Sequence, residues 1–242
     1  MLKPVSQLPR YRLAADQIAA QIEDGSLKPG DKMPTERELV ETLGVSRATV
    51  REAIIALEIM GYVESRFSAG VFVKDRGSME ETAEPVKMAP EHDDGPFEML
   101  EARRIIEGEI AALAAKSIRP SQIDALWRFT QAMEEHAGQA LWNEDADAGF
   151  HAAIADAAGN APLARIAAEF WRQQREAPMW QAIGQNIDDA NLRPKLVTEH
   201  EDIIASLTEG DAEKARKAMH AHLDSFAEAL LDSWNRIKAS ES

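Results

Sequence analysis

The sequence predicts a mainly α protein: a small N-terminal helical module closed by one β-hairpin, then a C-terminal all-α bundle of six or seven helices. Three observations predict it. Residues 34–63 write two short capped helices around a Gly break, and two short alternating runs follow to residue 74. Residues 77–96 (GSMEETAEPVKMAPEHDDGP) hold three Pro and six acids with little apolar content, the composition of a linker. From residue 97 onward, helical periodicity repeats without a strand pattern. The expected domains are therefore residues 1–76 and 97–242, joined by the linker at 77–96.

Taken in order, residues 1–9 read as a loose arm. Residues 10–24 fit a helix with Leu13, Ile18 and Ile22 inward, ended by Gly25. A Pro- and Gly-rich loop covers 26–34. Thr35 caps the next helix, and Glu38 three residues later completes a capping box. Leu39, Val40 and Leu43 form its apolar side, and Gly44 stops it. Ser46 caps a helix over 47–60, with Val50, Ile54, Leu57 and Ile59 inward. YVESR and GVFVK then read as two strands joined by FSA.

Ser46, Arg47, Thr49 and Arg51 crowd the first turn of the second capped helix. A helix-turn-helix puts such positions into the major groove of DNA, and the hairpin adds a wing. An ordinary helical hairpin is the alternative. The Arg/Thr cluster and the wing favour a winged helix-turn-helix.

Charge is unevenly placed. The net charge is −15, yet the first 76 residues carry 11 basic and 11 acidic side chains, so the remainder carries all of it. An acidic rear part is repelled by phosphates, while the neutral front can still present a basic face. There is no Cys, hence neither a disulfide framework nor thiolate chemistry. No run is long enough to span a bilayer, so a cytoplasmic protein with no membrane partner is expected.

The bundle helices are expected at 97–117, 120–138, 140–158, 162–176, 194–209 and 211–238, with 178–192 irregular or partly helical. Four polar residues sit where core residues belong. Asp147 and His151 share a face with Ile154, His200 shares one with Leu196 and Ile203, and His222 one with Met219 and Phe226. Buried unpaired polar groups are costly. A divalent transition metal would satisfy all four, and imidazole with carboxylate suits Zn²⁺, Ni²⁺, Fe²⁺ or Mn²⁺. His220, by contrast, falls on a charged face, and His92 and His136 read as solvated. A metal with an open position could also activate water, so a metal-dependent hydrolase is the different-class alternative.

The residues also carry a resemblance. P-T-E-R-E-L, G-V-S-R-A-T-V-R-E-A and L-E-x-x-G-Y-V, over roughly residues 8–75, resemble the winged-helix domain of GntR-type transcription regulators. That implies DNA contacts from Arg37, Arg47, Arg51 and Gly70, with Ser46 and Thr49 beside them. The family's R-R-G-x-G wing reads Arg66-Phe67-Ser68-Ala69-Gly70 here, so its first Gly is Ser68. D-x-x-x-H-x-x-I with A-G-N, H-x-x-I-x-x-x-L-x-x-G-D and A-M-x-x-H-L resemble the FadR-like branch, in the metal-binding form of its FCD effector domain. The implied ligands are Asp147, His151, His200 and His222, with Zn²⁺ the expected ion.

G-P-F-E-M-L-x-A-R-x-x-x-E and P-M-W with I-D-D are similar to the hexuronate-utilisation repressors. The resemblance implies a homodimer and a response to a hexuronate; the mechanism expected from these residues is a palindromic operator whose binding is controlled by a sugar acid held at the metal, with another hydroxy or dicarboxylic acid as the alternative effector. Arg103 is the family's pocket Arg, with Arg104 the alternative at that position. Arg175, Asn160 and Trp180 are further candidates for the effector site. Salt bridges for Arg103 (with Glu107) and Arg175, and a core role for Trp180, also fit.

Overall fold

The computed structural model describes residues 9–66, 69–75, 95–135, 144–177, 179–180 and 189–240. Most of the expected linker, the wing tip at 67–68, and both His92 and His136 lie outside them. The protein is mainly helical, with one two-stranded sheet among the described residues. It divides into two compact units. One gathers Met1–Glu98 with Ala177–Trp180 and Lys238–Ser242; the other gathers Met99–Glu176 and Gln181–Ile237.

The first unit is built on three helices: α1 (Arg10–Glu23), α2 (Glu36–Leu43) and α3 (Arg47–Ile59). Thr35 and Glu38 form the expected reciprocal box: Glu38 N donates to Thr35 Oγ1 at 3.3 Å, and Thr35 N donates to Glu38 Oε2 at 2.8 Å. Gly44 ends α2 at φ 66°, a left-handed conformation that costs side-chain-bearing residues more. Ser46 Oγ accepts from Thr49 N at 3.1 Å and so opens α3.

The buried face of α1 is Tyr11, Ala14, Ala15, Ile18 and Ala19. Leu13, expected inward, is 47% exposed. Small alanines let α1 approach α3 closely, and that selects a face rotated away from Leu13. Ile59 is likewise only half-buried, while Ile55 joins Val50, Ile54 and Leu57 in the core. Strands β1 (Val63–Arg66) and β2 (Gly70–Val73) pair antiparallel, Val63 with Val73 and Arg66 with Gly70. Residues 30–33 add a third strip, with Met33 N donating to Val71 O and Val73 N to Asp31 O.

The second unit is all helical: α4 (Pro96–Ala114, its first turn grouped with the first unit), α5 (Pro120–Glu135), α6 (Glu144–Ala157), α7 (Ala161–Glu176), α8 (Asp189–Glu209) and α9 (Ala212–Ser240). Helix α5 packs on α6 and α8, and α6 packs on α7. Pro194, expected to open its helix, instead lies inside α8. An interior Pro loses one backbone bond and crowds the carbonyl four residues back, and α8 runs through Pro194 in its second turn despite that cost.

Gly149 gives the first expected result. It lies on α6 between Asp147 and His151, and a Cβ there would fall 2.5 Å from the Phe129 ring of α5. Gly→Ala inside a helix ordinarily gains about 1 kcal/mol. Here overpacking, typically about 1–3 kcal/mol, opposes that gain. Gly149→Ala is therefore expected to lower, not raise, the midpoint of urea unfolding.

Candidate functional site

The first unit exposes a cationic edge. Arg37 on α2 and Ser46 and Arg47 at the head of α3 are exposed, and Arg51 is half-buried. Arg51 is also engaged, with Nε 3.7 Å from Glu36 Oε1 and the guanidinium 5.6 Å from the Phe97 ring centroid. Thr49 is fully buried: its Oγ1 donates to Glu98 Oε1 at 2.9 Å and lies 2.8 Å from Ser46 Oγ. It supports the head of α3 from beneath.

Glu52, also buried, accepts from Glu98 N at 2.6 Å and fills the space where a Cβ on Gly95 would sit. At the wing, Gly70 has φ 110°, and a Cβ there would meet Lys32 Cε at 2.9 Å. Lys32 and Arg66 both lie over Phe72, adding two cations to this edge. Lys32 escaped the sequence reading because it sits outside the helix-turn-helix pattern.

The second unit gathers the four inward polar residues. Asp147 and His151 on α6, His200 on α8 and His222 on α9 are all buried, and their ligating atoms lie within 4.8 Å of one another. His151 Nε2 and His200 Nε2 lie 3.5 and 3.4 Å from Asp147 Oδ1. Among the described residues, His151 Nε2 and both ring nitrogens of His200 make no hydrogen bond. Three buried imidazoles and a buried carboxylate brought together, with ring nitrogens unused, fit the donor set of a transition-metal ion.

Helix α4 supplies what lies behind them. Arg103 and Glu107 are each 2% exposed, on the same stripe as Leu100 and Ile110. Arg103 Nε donates to Glu107 Oε1 at 2.6 Å and Nη1 to Gln174 Oε1 at 2.8 Å, while the guanidinium lies 4.3 Å from the Trp171 ring centroid. The other Glu107 oxygen, Oε2, meets His151 Nδ1. On α8, Glu199 Oε2 lies 3.3 Å from His222 Nδ1. The sequence pattern offers Glu107 only as a salt-bridge partner of Arg103. Its place on an apolar stripe is the same signal that singled out the histidines.

Electrostatics follow from this packing. Burial lowers the His200 pKa, and burial with the neighbouring imidazoles drives His222 well below the ordinary value. Burial opposes the His151 imidazolium too, but Glu107 and Asp147 outweigh it and raise its pKa. Burial works against the Asp147 carboxylate, yet His151 and His200 hold it well below the usual range.

Burial also works against the Glu107 carboxylate, but Arg103 and His151 together keep it at about 2. The unfolded chain titrates that group near 4.5. The folded pKa is the lower one, so this contribution is complete above about pH 4.5 and is lost as the pH falls towards 2. In metal-free protein, urea titrations of the parent and Glu107→Gln are expected to differ by roughly 3 kcal/mol above that window. The gap then closes through it.

The other effector candidates have surroundings of their own. Asn160 is exposed, and its Oδ1 accepts from Leu163 N at 3.3 Å at the head of α7. Arg175 is 47% exposed at its side chain and donates to Asp145 Oδ1 at 2.8 Å. Trp180 is buried and belongs to the first unit. Arg104 pairs with Asp224 at 2.7 Å on the surface. His220 stays outside the group, half-buried against Gly108.

Comparison with known proteins adds an independent finding. The profile of bacterial regulatory proteins, gntR family, matches residues 10–73, and that of the FCD domain matches residues 98–225. The chain is 35% identical over 225 residues to the Uxu operon transcriptional regulator of Escherichia coli (strain K12), across 90% of this chain and 87% of that one. It is 35% identical over 214 residues to the Exu regulon transcriptional regulator of the same strain, across 88% and 81%. Among solved structures, E. coli McbR/YncC aligns over 93% of this chain and 99% of its own, with a TM-score of 0.51 and 19% identity. That last likeness speaks for the fold alone.

Proposed function

This chain belongs to the GntR family of bacterial regulatory proteins and carries an FCD domain, and from that premise we propose that a hexuronate-type sugar acid controls its grip on DNA. The chain is a DNA-binding transcriptional regulator, and the regulators it resembles are named for the Uxu operon and the Exu regulon. The observation that carries the reading is the buried Asp147–His151–His200–His222 group with Arg103 and Glu107 behind it.

Asp147, His151, His200 and His222 would hold a divalent ion, zinc above all. Such an ion supplies a Lewis-acidic centre with positions for a carboxylate and an adjacent hydroxyl or keto oxygen. The chain's own charges select the guest. Arg103 and Glu107 neutralise each other, the imidazoles serve as neutral donors, and Asp147 contributes one negative charge. The excess positive charge of the ion then suits a carboxylate guest such as that of a hexuronate. Arg103, tied to the group through Glu107, would orient the acid with the guanidinium N–H groups that Glu107 and Gln174 leave over.

Two copies of the chain on a palindrome would set two α3 helices in successive major grooves, about one turn apart. Arg47 reads base edges there, Arg37 and Gly70 approach the backbone, and Ser46 and Thr49 hold the head of α3 in place. A sugar acid held among α4, α6, α8 and α9 favours an arrangement in which the two α3 helices no longer match that spacing. A tenfold change in operator affinity needs about 1.4 kcal/mol of coupling, well within the usual range.

The test uses operator DNA that the protein itself selects from a random pool. Fluorescence anisotropy with glucuronate, galacturonate and fructuronate is expected to show at least one lowering affinity about tenfold in zinc-loaded protein. Unchanged affinity with all three removes this effector class. An equal response in chelated protein removes the ion from the reading.

A further inference from the structure

Two carboxylates outside the four-residue group stand on its imidazoles. Glu107 is buried with both oxygens committed: Oε1 takes the Arg103 Nε–H at 2.6 Å, and Oε2 meets His151 Nδ1. Arg103 is in turn fixed by Gln174 at 2.8 Å and by the Trp171 face, so Glu107 has no freedom to turn. Glu199, whose side chain is 16% exposed, lies 3.3 Å from His222 Nδ1. Two different helices, α4 and α8, therefore present an acid to the same ring atom of two different histidines.

That placement has a chemical consequence. A neutral imidazole carries one N–H and one lone pair, and an acid facing Nδ1 keeps the proton there. The lone pair is left on Nε2. His151 Nε2 lies 3.5 Å from Asp147 Oδ1, on the side where the four ligating atoms converge. The acid also makes the ring a stronger donor, since partial negative charge at Nδ1 raises the basicity of Nε2. A plain ion pair between Arg103 and Glu107 would need none of this, because the guanidinium occupies only one carboxylate oxygen.

We propose that Glu107 and Glu199 are positioning residues of the metal centre, each fixing the tautomer and aim of one histidine so that its Nε2 is delivered to the ion. Glu107 is the stronger of the two, being buried, doubly bonded and closer. His200 has no such acid at its Nδ1 among the described residues; its Nε2 faces Asp147 Oδ1 at 3.4 Å and its ring packs on Phe150. The inference rests on reading the four-residue group as a metal centre.

The test measures Zn²⁺ affinity by competition with a chromogenic chelator in the full chain, for the parent, Glu107→Gln, Glu199→Gln and Glu109→Gln. Glu109 lies on the same helix but on its exposed face, bound to Arg216, and serves as the control. Glu107→Gln is expected to bind Zn²⁺ about 10–100-fold more weakly, Glu199→Gln less so, and Glu109→Gln like the parent.

Proton–nitrogen spectra of the zinc-loaded protein give the second readout. The Nδ1–H of His151 is expected downfield in the parent and upfield in Glu107→Gln, and that of His222 follows Glu199→Gln. If Glu107→Gln does not fold, the half-buried Glu199→Gln decides the matter by the same two readouts. Affinities within twofold of the parent, with unmoved ring protons, overturn the positioning role. A parent that binds neither Zn²⁺ nor Co²⁺ overturns the metal centre itself, which is a distinguishable failure.

Discussion

Zinc added to the metal-free protein at about a thousand times its dissociation constant is expected to stabilise the fold by about 4 kcal/mol. For a chain of this size that is roughly an 8–16 °C rise in melting midpoint. The reason is linkage. The four ligating atoms converge only when α6, α8 and α9 are assembled, so the folded chain binds the ion and the unfolded chain largely does not. Asp147 is the most telling member to remove. It is the one anion in the set, and it sits 3.4–3.5 Å from two of the imidazoles. Asp147→Ala should abolish most of the zinc-dependent rise while leaving a folded, metal-free protein. Differential scanning fluorimetry with zinc and with a chelator checks both halves. A parent whose midpoint ignores zinc would refute the first.

Loss of Arg47 is expected to have the largest effect on DNA. The residue is exposed at the head of α3, with no ion pair shown for it among the described residues. A bidentate contact to guanine contributes about 1–3 kcal/mol of discrimination, so Arg47→Ala should weaken operator binding roughly 5–150-fold and relax sequence preference at one position. Arg37→Ala should instead weaken all sequences alike and lower the salt slope by about one. Arg51→Ala is expected to cost less than Arg47→Ala, because Arg51 already engages Glu36 and Phe97. Anisotropy titrations at several salt concentrations separate the three. Equal losses from Arg47 and Arg51 would contradict this ordering.

Local chemistry made much of this readable beforehand. The Thr35–Glu38 box, the Gly44 stop and the Ser46 cap are short-range devices whose partners lie within four residues, and all three form as written. The histidines were legible for a different reason: polar side chains on apolar stripes demand an explanation that solvent cannot supply. Leu13 went the other way because Tyr11, Ile18 and three alanines made a better face than one leucine, a choice decided by α3 and not by α1. Pro194 misled because a helix start and a tolerated interior Pro share the same local signal. Glu107 and Glu199 were hidden by their type. An acid on a helix is usually solvated, so the apolar stripe that carries Glu107 is easily passed over.

Trp171 touches this chemistry from the side. Its indole is 6% exposed, lies 5.4 Å from the His151 ring and has the Arg103 guanidinium 4.3 Å from its ring centroid. Its fluorescence is thus coupled to occupancy of the neighbouring imidazole: Co²⁺ or Cu²⁺ at that distance drains the excited state, whereas Zn²⁺ does not. With the other four tryptophans replaced by phenylalanine, the colour and brightness of a single side chain would follow filling and emptying in real time, without any label attached.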